Sequence, residues 1–120
     1  MATFGDSLRD IAARVPETQV LMLMGTDGIP IDRLVVRPDA NQEAVAAEFT
    51  TLLRASVSAA GDTGLGALLE LCVVTEKMTA LLFGITEDYF LFAALEPDAL
   101  IGRARFALRL AALALEREFR

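Results

Sequence analysis

Between residues 4 and 15, apolar side chains fall at Phe4, Leu8, Ile11, Ala12 and Val15. Those spacings put them on one face of a helix. Thr3 and Asp6 form a T-x-x-D opening suited to its start, and Pro16 stops it. The pattern then changes. In QVLMLM (19–24), Val20, Met22 and Met24 point one way and Leu21 and Leu23 the other, so both faces of a strand are apolar. Such a strand needs helices on both sides. GTDG and IPIDRLVV follow, and Asp27-Gly28 between two apolar runs predicts a hairpin. Pro30 cannot donate to a ladder, which assigns the second strand to a sheet edge.

The stretch RPDANQEA opens a second helix, with Asp39 and Gln42 at capping-box spacing and Asn41 as the alternative cap. Val45, Phe49, Leu52 and Ser56, flanked by Leu53 and Ala60, are predicted to lie on the sheet. About a quarter-turn away, Ala44, Glu48, Thr51 and Ala55 form a row of mostly small residues. Such a row either lets another helix approach closely or is a plain solvent-facing side.

Three apolar runs follow: Ala67–Thr75, Thr79–Ile85 and Tyr89–Leu95. Their connections, Glu76-Lys77-Met78 and Thr86-Glu87-Asp88, are short enough only for antiparallel hairpins. Pro97-Asp98 leads into a last helix over Ala99–Phe119, with Ile101, Ala104, Leu108, Ala111, Ala112, Leu115 and Phe119 as its apolar stripe. The order is helix, two strands, helix, three strands, helix. It predicts an α+β fold, a three-layer α/β/α sandwich around a five-stranded, mostly antiparallel sheet. The whole chain, 1–120, reads as one domain.

GDTGLG (61–66) has the glycine density of a phosphate loop but the wrong polarity, since a helix ends into it and a strand leaves it. An anion there would face unpaired helix carbonyls. Gly61 is read as the left-handed residue that terminates the helix, and Gly64 and Gly66 as turn residues.

Composition narrows the chemistry. There is no histidine and one cysteine, Cys72, which removes the commonest general base, the commonest metal ligand and any intrachain disulfide. No catalytic residue, cofactor site or metal site is assigned. The net charge is −6, but residues 99–120 carry +3 through Arg103, Arg105, Arg109, Arg117 and Arg120. The acidic body argues against nucleic-acid binding. The basic segment either meets an acidic partner or complements its own helix dipole. No run is apolar enough to insert in a membrane, and the N-terminus lacks a signal-peptide h-region, so a cytoplasmic location is expected. A small domain that is 54% hydrophobic is expected to have more apolar surface than one chain can hide, which points toward oligomerisation.

The sequence resembles the roadblock/dynein light chain family. The resemblance is carried by VLMLMGTDGIPI (20–31), by the helix–glycine–strand passage around 53–74, and by EPDALIGRARFALR (96–109). It implies a roadblock, profilin-like fold and a non-enzymatic module that forms homodimers, or heterodimers with another roadblock chain. It further implies that the second helix packs on its partner copy through Ala44, Glu48, Thr51 and Ala55. The resemblance also implies that the third strands pair around Leu69, Leu71 and Val73. An edge strand as apolar as ALLELCVVT is an aggregation hazard until it is paired, so the physics agrees.

Family members bind small Ras-like GTPases, and bacterial ones resemble partners of polarity GTPases. The resemblance therefore implies a GTPase regulator or scaffold that modulates GTP hydrolysis or localisation without catalytic residues of its own. Arg33, Arg37 and Arg54 are read as surface charges, with no arginine finger among them. The competing readings are a structural adaptor with nucleotide-independent binding and a small-ligand sensor. The sensor reading is weakened by strands that offer few polar groups to orient a ligand.

Overall fold

A computed structural model describes residues 4–38 and 41–119. The caps read at Thr3 and Asp39 lie outside the described residues. Helix α1 (Phe4–Arg14) leads into strands β1 (Thr18–Gly25) and β2 (Pro30–Val35). Helix α2 (Gln42–Asp62) crosses over to β3 (Glu70–Val74), β4 (Thr79–Gly84) and β5 (Tyr89–Leu95), and α3 (Ile101–Glu118) follows. The sheet order is β2-β1-β5-β4-β3, and every neighbouring pair is antiparallel.

This arrangement follows from the apolar alternation. β5, apolar on both faces, takes the centre of the sheet, with β1 and β4 on either side of it. Leu21, Leu23, Leu81, Leu91 and Ala93 face a layer built by Leu8, Ile11, Ala104, Leu108 and Leu115 of α1 and α3. Val20, Met22, Leu82, Phe90 and Phe92 face the other layer, where Ala46 and Leu53 of α2 cover them. Pro30 stands at the start of β2 on one sheet edge, as expected, and β3 forms the other edge. Ring stacking of Phe119 with Phe4 (centroids 5.3 Å apart) and with Tyr89 (4.2 Å) gathers the first turn of α1, the start of β5 and the end of α3.

Two expectations change. The sheet-facing side of α2 is centred on Gln42, Ala46, Thr50 and Leu53, while Leu52 is 40% exposed. Two polar residues sit in that face because each is satisfied locally. Thr50 donates to the Ala46 carbonyl (2.8 Å), and Gln42 Nε2 donates to the Arg37 carbonyl (2.7 Å). A purely apolar stripe misses them and rotates the helix by about one residue, roughly 100°.

The second change concerns the glycines. Gly61 stays helical, and the left-handed residue is Gly64, with φ 73°. The Leu65 amide donates to Ala60 O (2.8 Å) and the Gly64 amide to Gly61 O (3.2 Å), the paired bonds of a Schellman ending. Thr63 Oγ1 also donates to Ala59 O (2.7 Å), carrying the hydrogen-bonded turns past Gly61.

Candidate protein interface

An edge strand exposes alternate backbone groups, and the turn that feeds it decides which ones. The Thr75 amide donates to Met78 O (2.9 Å), and the Gly84 amide donates to Leu69 O (3.1 Å). With the register Leu71↔Leu82 and Val73↔Ala80, the odd-numbered residues of β3 direct their amides and carbonyls at β4. Glu70, Cys72 and Val74 therefore turn theirs outward, to the open edge. Cys72 is exposed and Val74 is 61% exposed.

The two edges of the sheet differ. β2 begins with Pro30, carries Asp32 and Arg33, and has an irregular register opposite Leu23 and Met24. These are devices that block pairing. β3 reads ELCVV, without proline or bulge, and is the edge free to accept a strand.

Of the residues expected at the interface, Leu71 and Val73 are half-buried and pack toward α2. Leu69 lies just before β3 and is 70% exposed. Ala44, Glu48, Thr51 and Ala55 are all exposed on α2, on the side turned away from Leu53. One flank of α2 faces the β1–β2 hairpin. Arg54 Nη1 donates to Thr26 O (3.0 Å), and Glu43 pairs with Arg33. The other flank carries Leu52, Glu48 and Ala59, and the partly buried Val45 and Phe49 next to it pack in one cluster with Leu71, Val73 and Met78. Helical geometry puts Glu48 and Ala55 on the β3-ward side of the small stripe and Ala44 and Thr51 farther round. Leu52 thus joins the surface beside the open edge, a residue that the apolar pattern had assigned to the sheet.

On the opposite face, Glu70 is a junction that sequence reading does not find. Arg105 binds its carboxylate in a two-pronged contact, Nε at 2.8 Å and Nη2 at 2.6 Å, and Arg109 adds a third bond at 3.0 Å. Partners this far apart in sequence leave no local spacing signal. The cluster ties the open edge strand to α3. The hydrogen bond from Arg105 lowers the Glu70 pKa, with burial opposing it and the two guanidinium charges assisting.

A carboxylate with a lowered folded-state pKa contributes stability above its unfolded pKa, and that contribution is lost as pH falls through the folded value. Wild-type protein should therefore lose stability on acidification through and below the ordinary glutamate range, and Glu70→Gln should lose less. Urea unfolding of the two proteins across an acid series checks this.

Arg33 pairs with Glu43, Arg37 with Glu96, and Arg54 with the Thr26 carbonyl, so each serves the surface of its own chain. No helix of the described residues is long and apolar enough to cross a membrane.

No protein-family model matches the chain, and no curated protein matches it. Solved structures do. The roadblock/LC7 domain from Streptomyces avermitilis superposes with a TM-score of 0.84 at 16% identity, covering 98% of each chain. MglC from Myxococcus xanthus gives 0.72 at 28% identity, covering 96% of this chain and 98% of its own. An MglB in a tetrameric arrangement gives 0.82 at 17% identity, covering 94% and 85% respectively.

Proposed function

From the roadblock/LC7 fold that this chain adopts, we propose that it is a dimeric regulator or scaffold for a small Ras-like GTPase. It modulates the GTPase's hydrolysis or its placement in the cell. The observation that carries the reading is the open edge of β3 lying beside an exposed, weakly charged flank of α2. Two copies related by a twofold axis pair β3 with β3 through Glu70, Cys72 and Val74. Two sheets become one, and the two α2 helices lie side by side through Glu48, Leu52 and Ala55, with Ala44 and Thr51 at the margin. Leu71 and Val73 support that contact from beneath, and Leu69 extends the strand. The 28% identity with MglC over nearly the full length supports the bacterial branch of this reading.

Regulation here works by holding the GTPase's own switch loops, and no arginine finger is assigned to this chain. Purified protein, mixed with candidate GTPases from its own genome, is expected to bind one of them in a single nucleotide state and alter its hydrolysis rate. Absence of any nucleotide-dependent binding refutes the regulator. Dimers or larger assemblies that bind partners regardless of nucleotide would support the second reading, a structural adaptor. The tetrameric arrangement of the similar MglB favours that alternative.

A further inference from the structure

Helix α3 buries Ala104, Ala107, Leu108, Ala112 and Leu115 against the sheet layer. Its opposite side carries a second apolar stripe. Phe106, Leu110 and Leu113 are 58%, 46% and 54% exposed and sit at i, i+4 and i+7. None of them is needed by the core. Arg103 stands about one turn before Phe106, and Arg117 about one turn after Leu113. Among the described residues neither makes an ion pair, whereas Arg105 and Arg109 are held by Glu70. Beside Leu113 a groove of about 390 Å³ separates α3 from the end of β4, with Leu69 on its far wall.

We propose that this face of α3 docks an amphipathic helix of another protein. The partner helix presents apolar residues at helical spacing and acidic residues in the turns on either side of them. Apolar anchors at i, i+4 and i+7 are how a surface reads a helix. Two free guanidinium groups, one beyond each end of the stripe, set the partner's charge and its length. This surface lies on the face opposite α2, apart from the helix contact proposed for the dimer.

Two other occupants fit the charge less well. A twofold contact between two copies of α3 would place the antiparallel helices about Leu110 and bring Arg103 against the other copy's Arg117. Like charges at such a contact are repulsive. An anionic lipid surface would attract the stripe but repel the body, because the chain carries −6 overall.

The test uses a fluorescently labelled helical peptide of about four turns, with leucines at i, i+4 and i+7 and glutamates in the flanking turns. Anisotropy should show saturable binding to the wild-type protein. Leu110→Glu should weaken it about tenfold or more, and Arg103→Glu/Arg117→Glu should do the same. A lysine-flanked version of the peptide should bind the double variant and not the wild type. All substituted positions are exposed, so circular dichroism spectra should match the wild type. The proposal is overturned if the glutamate peptide does not bind saturably, or if both peptides bind the wild type equally. It is also overturned if Leu110→Glu abolishes self-association, or sedimentation with phosphatidylglycerol vesicles, while leaving peptide binding intact.

Discussion

Cys72→Pro is expected to turn the proposed dimer into a monomer without unfolding the chain. The amide of Cys72 faces the open edge, and the ladder to β4 is made by its odd-numbered neighbours. Proline there removes an outward donor and plants a ring where a second strand would pair. It is tolerated on an edge strand in that phase for the same reason. Val73→Pro is the contrast: it removes a ladder donor used by β4 and should lower the stability of the fold itself. Light scattering after gel filtration should find the wild type at twice the chain mass of 12.9 kDa and Cys72→Pro at that mass, with unchanged circular dichroism. A proline variant that remains dimeric removes β3 from the interface.

The second large effect concerns α2. Leu52→Arg and Ala55→Arg should each weaken the dimer by about 3 kcal/mol, roughly a hundredfold in dissociation constant, by placing an unpaired charge in a close helix contact. Both positions are exposed in the single chain, so neither substitution should shift its unfolding midpoint by more than a few tenths of a kcal/mol. Thr51→Arg should be milder, because Thr51 lies farther round the helix from β3. Sedimentation velocity over a concentration series ranks the three. Equal effects at all three positions would show that the helices meet along their outermost ridge. No effect at Leu52 or Ala55 would remove α2 from the contact.

The layered architecture is legible because few arrangements satisfy strands that are apolar on both faces. Val20 to Met24 alone demand two helical layers, and Pro30 alone assigns an edge. The rotation of α2 is less legible. Leu52 and Leu53 are adjacent, and the residues that settle which one turns inward are polar. Gln42 and Thr50 are buried with their hydrogen bonds satisfied inside the same segment. The end of α2 hides for a related reason. Gly61 and Gly64 are equally able to adopt a left-handed backbone, and the choice depends on Thr63 and on carbonyls within the helix. The junction of Glu70 with Arg105 and Arg109 exists only once β3 and α3 are folded together. The outward phase of Glu70, Cys72 and Val74 is legible in principle. It follows from the hairpin between Thr75 and Met78, whose bond fixes every second residue before it.

The stacking of Phe4 on Phe119 also has a topological consequence. It brings the first and last helices together at one corner, on the layer away from α2 and the small-residue stripe. A short glycine-rich bridge between these ends would close the backbone into a ring with little loss of loop entropy. The ring could then be cut in the exposed turn at Glu76 and Lys77, giving a permuted chain with the same layers. In such a molecule β3 and β4 would no longer be joined by a hairpin. Edge pairing could then be separated from the order in which the strands are synthesised.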